Sequence, residues 1–160
     1  MRNSIGIFLV FIFSFSIQAS EPDDILGFWF ANEGKSKIEI YKCESKYCGR
    51  IVWLKEPTYP ANDEKGMAGL VKIDRENESV DLRSRPIVGL EVVTDLVFDK
   101  TSEYHDEGEA PEARWTRGRI YDPRSGKMYK CNMALKNPMQ LEVKGYVGIP
   151  LFGRTVTWIR

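Results

Sequence analysis

The chain has 160 residues and many ionisable groups, but few are spaced for catalysis. Its single histidine, His105, lies in the acidic stretch 101–112, so any serine or cysteine nucleophile that needs an imidazole base depends on that one residue. A histidine in a charged loop, with no rigid shell of partners, reads as a solvated side chain. The chain has no Cys-x-x-Cys, no histidine pair and no calcium-loop spacing of carboxylates, so no metal site is expected. Gly66-x-x-Gly69 and Gly145-x-x-Gly148 do not join a strand to a helix, so neither reads as a phosphate cradle and no cofactor is expected. Glu91 and Asp95 read as surface carboxylates, because a pair carries meaning only at a defined separation. A hydrolase is therefore the least supported function class.

Arginines and aromatic rings form a better pattern. Trp115, Arg117, Arg119 and Tyr121 share one face of a strand by period-two spacing. Arg50 shares a face with Val52, with Trp53 on the other, and Arg83 and Arg85 flank the exit of a long non-periodic segment. An arginine turned inward beside aromatic rings would hold a carboxylate or phosphate while apolar walls hold a tail. The plainer alternative is an outer wall of stacked Arg, Trp and Tyr, since arginine is seldom buried unpaired. Arg50, Trp53, Arg83, Arg85, Trp115, Arg117, Arg119 and Tyr121 are thus the candidate ligand-binding residues.

The elements that must carry them are short strands. Strand patterns occur at 27–30, 37–43, 48–54, 90–99, 114–121, 128–135, 140–147 and 155–159, and Met67 to Ile73 is a further short candidate. Turn signals separate most of them, among them Asn32-Glu-Gly34, Asp122-Pro-Arg-Ser-Gly126 and Asn137-Pro138. No segment carries a long helical stripe. About eight strands joined by hairpins predict an all-β sandwich or an up-and-down antiparallel barrel, and the barrel is favoured because it needs no crossover and leaves no edge. Residues 55–86 are the longest stretch without periodicity, and such a loop in a compact domain is functional or mobile. Gly148-Ile-Pro-Leu-Phe-Gly153 is an apolar loop; if exposed, it exceeds what a monomer normally shows and implies a homo-oligomer or an envelope protein partner.

Compartment follows from the N-terminus and the cysteines. Arg2, the apolar run Ile5–Ile17 and the small residue Ala19 have the layout of a secretory signal over residues 1–19, leaving 20–160 as one domain. The apolar run is shorter than the roughly 20 residues a spanning helix needs, so no stable membrane anchor is expected. A periplasmic or extracellular protein is predicted. Three cysteines allow one disulfide; Cys43–Cys48 is favoured because antiparallel neighbours across a tight turn reach bridging distance, which leaves Cys131 as a buried thiol in an alternating run. The 23 basic residues balance the 23 acidic ones, which argues against nucleic-acid binding.

Four blocks span most of the predicted mature chain: Ile38-Glu-Ile-Tyr-x-Cys-x-x-x-x-Cys-Gly-Arg-Ile-Val-Trp-Leu54, Leu82-Arg-Ser-Arg-Pro-Ile-Val-Gly-Leu-Glu91, Gly118-Arg-Ile-Tyr-Asp-Pro-x-x-Gly-Lys127, and Leu141-Glu-Val-x-Gly-Tyr-Val-Gly-Ile149 with Thr157-Trp158. In these the chain resembles a family of small secreted bacterial proteins, the domain of unknown function numbered 2147. Asp74 and Asn77 match a further Asp-x-x-Asn element, although Glu78 stands where the family tends to have proline, and the extra C-terminal cysteines of many members are missing. The resemblance implies a lipocalin-like (calycin-type) barrel and brings no established activity. It also gives Gly27-x-Trp29, Trp158 and Arg160 a meaning: the calycin arrangement in which a first-strand tryptophan packs under an arginine from the barrel's end. Together these observations predict a carrier for a small apolar or amphipathic ligand, with the long loop as its lid. An envelope interaction module without a ligand is the alternative.

Overall fold

The structure, a computed structural model, describes residues 21–99 and 114–160. Eight strands follow in order: β1 (Gly27–Ala31), β2 (Ser36–Cys43), β3 (Lys46–Leu54), β4 (Glu91–Asp99), β5 (Arg114–Asp122), β6 (Lys127–Asn137), β7 (Gln140–Tyr146) and β8 (Arg154–Ile159). Each pairs antiparallel with the next, and the sheet closes into a barrel. The closing seam is thin: β1 and β8 share the single register pair Phe30↔Ile159. The predicted signal segment 1–19 and His105 lie outside the described residues.

Alternation decides which face turns inward. In β2, Ser36, Ile38 and Ile40 are buried while Lys37, Glu39 and Tyr41 face outward; in β7, Leu141 and Val143 are buried. Each fully buried apolar side chain of this kind contributes about 1.5–3 kcal/mol. Bulges interrupt the alternation and bend the strands enough to close the ring. Between Lys37 and Ile38 the register with β3 jumps from Trp53 to Ile51, and on β5 it jumps from Trp115 to Gly118. Gly118 allows β4 and β5 to close up, since a Cβ there would strike the Leu96 side chain.

The β2–β3 hairpin carries the Cys43–Cys48 disulfide, with 5.8 Å between Cα atoms. So short a loop limits its contribution to about 2 kcal/mol. Cys131 is buried and free. The predicted strand at Met67–Ile73 is not formed. That region has only the isolated bridges Thr58↔Val71 and Ile73↔Pro86, and Gly66 and Gly69 have positive φ (73° and 77°), which breaks the extended run.

Up-and-down order puts four connections at one end of the barrel: the turns after β1 and β5, the long segment 55–90 between β3 and β4, and the loop 147–153 between β7 and β8. The opposite end is floored by the 3-10 turn Pro22–Ile25. Ile25, Trp29, Leu96, Trp115 and Leu141 are fully buried toward that end. Trp29 Nε1–H donates to the Ile25 carbonyl at 2.8 Å, and Trp115 Nε1–H donates to that of Pro22 at 3.0 Å. The Arg160 guanidinium lies 3.9 Å from the centre of the Trp29 ring and donates to the Asp24 carbonyl at 2.6 Å. Asp23 accepts from Lys42 Nζ and from the Tyr47 hydroxyl, at 2.7 and 2.8 Å. One short turn is thereby tied to β2, β3, β5 and the end of β8. Among the described residues no helix is long and apolar enough to cross a membrane. That fact and the disulfide are compatible with a secreted chain.

Candidate functional site

Above the packed floor the barrel is hollow. A cavity of about 610 Å³ extends to the mouth and takes lining residues from all eight strands. Ile38, Ile51, Val92, Ile120, Val143 and Val156 make its wall apolar, and the Tyr129 and Trp158 rings add to it. The first and fifth turns contribute Glu33, Lys35, Pro123 and Arg124 to the rim. Arg124 is held by Asp122, Nε to Oδ1 3.1 Å, and Lys35 stands 3.9 Å from Glu33. Arg154 also lines the mouth, and its guanidinium has no ion pair or hydrogen bond among the described residues. It is thus the cation of the rim whose donors are free for a guest.

The long segment is fastened to the barrel beside this mouth. Asp74, fully buried, accepts from the Tyr121 hydroxyl at 2.6 Å, from Asn77 Nδ2 at 2.8 Å and from Arg85 at 2.8 Å. Asn77 Nδ2 also donates to the Tyr121 oxygen at 2.9 Å, and Arg83 Nε donates to the Asn77 carbonyl at 2.7 Å. A buried carboxylate with three donors is well compensated, whereas removing any partner would leave a costly orphan. Arg85 Nε is buried and has no hydrogen-bond partner among the described residues. Burial, then the hydrogen bond to Asp74, pushes the Tyr121 hydroxyl up to about 12. The segment is further pinned by Arg75, which pairs with Asp63 at 2.8 Å and stacks 4.2 Å over Tyr59, and by the Lys65–Glu76 ion pair.

Of the eight residues singled out from sequence, Tyr121 alone borders the cavity. Trp115 belongs to the floor. Arg117 and Arg119 line a groove on the outer wall. The expected shared face of Trp115, Arg117, Arg119 and Tyr121 fails because the bulge after Trp115, with Arg117 at φ 61°, shifts the phase of the strand. Arg50 faces outward, pairs with Glu39 at 2.8 Å and stacks over Tyr41. The bulge at Val52 returns Trp53 to that same outer side, where it meets Phe30 edge-on at 6.3 Å. Arg83 and Arg85 serve the Asp74 network.

The wall and Arg154 were missed as a group. Arg154, Val156 and Trp158 alternate along β8, so counting back by twos from Trp158 would have put Arg154 on the inner face. The apolar loop before it hides this phase, since the alternating pattern in the sequence begins only at Thr155 whereas β8 begins at Arg154.

Titration inside the barrel and at its floor runs away from neutrality. Burial pushes the Cys131 thiol up to about 12. Burial and Asp23 push the Tyr47 hydroxyl up to about 12. Among the described residues no three or more of His, Cys, Asp and Glu are grouped to hold a metal ion.

A family model described as "Uncharacterized protein conserved in bacteria (DUF2147)" matches residues 27–160. Comparison with curated proteins finds no match. Among solved structures the barrel is similar to one described as "Protein HP1028 from the human pathogen Helicobacter pylori belongs to the lipocalin family", with TM-score 0.61 and 20% identity over 85% of this chain and 82% of that one. At that identity the likeness carries the fold: a lipocalin-like barrel.

Proposed function

From the premise that this chain belongs to the DUF2147 family and is built as a lipocalin-like barrel, we propose that it is a periplasmic or extracellular binding protein for a small amphipathic ligand. The supporting observation is the cavity: about 610 Å³, walled by aliphatic side chains from seven strands and by the Tyr129 ring from β6, with Arg154, unpaired among the described residues, at its rim. Its size is in the range of small-molecule pockets, which combine apolar walls with a few polar anchors. The apolar part of the ligand lies against Ile38, Val92 and Val143, and its carboxylate or phosphate meets Arg154. The segment 55–90, held by Asp74 and Tyr121, frames the entrance as a lid.

The reading is of a carrier rather than a catalyst. Tyrosine and cysteine groups raised to about 12 are poor acids and bases at neutral pH. Secretion rests on the signal-like residues 1–19 and the hairpin disulfide.

Titration of the protein with a fluorescent long-chain fatty acid tests the proposal. Saturable binding is expected. Val143→Trp, which fills the cavity, should abolish it, and Arg154→Ala should weaken it about 10-fold, the scale of one charge-assisted hydrogen bond. Absence of binding to fatty acids and lysophospholipids alike, with no bound molecule in native mass spectrometry, would overturn the carrier reading.

A further inference from the structure

The outer wall of β5 and β6 and the loop after β7 form one continuous surface. A groove of about 760 Å³ runs along it, lined by Arg117, Arg119 and Lys130, and no aspartate or glutamate is among its lining residues. Neither Arg117 nor Arg119 has an ion pair or side-chain hydrogen bond among the described residues; the carboxylate within electrostatic reach of Arg119 is Asp95, which Lys46 already holds at 2.6 Å. Val147 and Gly148 line the end of the groove, and Lys130 Nζ donates to the Gly148 carbonyl at 3.3 Å. Beyond that point the loop carries Val147, Ile149, Leu151 and Phe152 at 73, 55, 72 and 79% exposure. It is shaped by a 3-10 turn over Pro150–Phe152, with the Gly153 amide donating to the Pro150 carbonyl at 3.0 Å. Four apolar side chains are thus held in water beside three cations.

We propose that this surface docks on an anionic phospholipid bilayer. Leu151 and Phe152 enter the boundary between headgroups and acyl chains, and Arg117, Arg119 and Lys130 lie against lipid phosphates. Charge decides the occupant. Binding at a membrane surface grows with the apolar area buried in it and with the attraction of basic side chains to anionic lipid, and this surface offers both. A second copy of the chain fits poorly, because a two-fold contact through this groove would set cations against cations. No basic run in the sequence announces the patch: Arg119 and Lys130 are brought opposite each other by the β5–β6 register. Arg154 follows the same loop at the cavity mouth, so docking would bring the entrance to the lipid. The inference stands whether or not the cavity takes a guest.

Sedimentation of the purified full chain with vesicles of mixed phosphatidylglycerol and phosphatidylcholine, against phosphatidylcholine alone, tests it. Binding to the mixed vesicles is expected to be at least about 10-fold tighter and to fall with salt. The double variant L151D/F152D should lose about 10-fold or more in affinity, and R119E/K130E should lose the preference for anionic vesicles. Only differences from the parent chain count, which cancels any contribution of the apolar N-terminus. Both variants should keep the parent's unfolding midpoint and its fatty-acid titration, because none of the four side chains lines the cavity. Equal binding to both vesicle types, or variants that sediment like the parent, would overturn the proposal. So would capture by polyglutamate without vesicle binding, which would assign an acidic protein partner. Vesicle binding with no fatty-acid binding would sink the carrier reading and leave this one standing.

Discussion

The two ends of the barrel solve opposite problems with similar residues. At the floor, two tryptophans, a 3-10 turn and Arg160 fill the space and hydrogen-bond one another. At the mouth, smaller aliphatic side chains leave a hollow, and the polar groups turn sideways to hold the long segment. Arginine shows the contrast best. Arg160, just past β8, is engaged by a ring and two carbonyls, whereas Arg154, at the start of that strand, meets no partner among the described residues. Strand β8 therefore runs from a structural arginine to an available one, and side-chain volume rather than backbone topology separates scaffold from site.

The largest test of that division is truncation at either end. Trp115→Ala should cost about 3–5 kcal/mol in urea unfolding, because it opens a void in a packed region. Ile51→Ala, beside a space that already exists, should cost about 2 kcal/mol, near the lower limit for such changes. Equal losses would break the distinction. Asp74→Ala should act locally, since it orphans Tyr121, Asn77 and Arg85 together. Hydrogen exchange in 55–90 should rise about 100-fold, equivalent to ~3 kcal/mol, with the floor amides little changed. Arg160→Ala should lower global stability by about 1–2 kcal/mol through the lost ring stacking and carbonyl contacts.

The smallest effect is acid sensitivity, and it should appear at both ends. The hydrogen bond from Lys42, then that from Tyr47, holds the Asp23 carboxyl below its ordinary 3.8 at the floor. Lys65 does the same for Glu76, below 4.5, near the mouth. A depressed carboxylate stabilises the fold above its unfolded value, and that contribution is lost as pH falls through the folded value. The melting midpoint should therefore decline below about pH 4. Lys42→Ala should shallow the decline, and an unchanged acid slope would remove Asp23 from the account.

Legibility in the sequence followed the range of the interaction. Hairpins could be read because alternation and turn residues are local: Cys43 and Cys48 are five residues apart and do bridge. The Trp29–Arg160 pairing came from the family resemblance, not from any local rule. The Asp74–Tyr121 bond joins residues 47 apart, and nothing in either neighbourhood announces the other. Bulges were the main source of error. One extra residue at Val52 or near Arg117 reverses every later side chain on its strand, and no composition signal marks it. The long segment could be recognised as irregular but not as pinned, since its order comes from ion pairs and one buried carboxylate rather than from periodicity.

The meeting of β1 and β8 through one register pair has a practical corollary. Arg160 reaches the carbonyls of Asp24 and Leu26, so the last residue of the ring touches the turn that begins it. A short linker from 160 to 21, with new ends opened between Asn137 and Gln140, should yield a permuted protein that keeps all eight ladders, joins the weakest seam by chain, and leaves the β6–β7 ladder to close the ring without a covalent turn. The same proximity means that a bulky fusion at Arg160 would press on the floor, so reporter groups belong elsewhere on the ring.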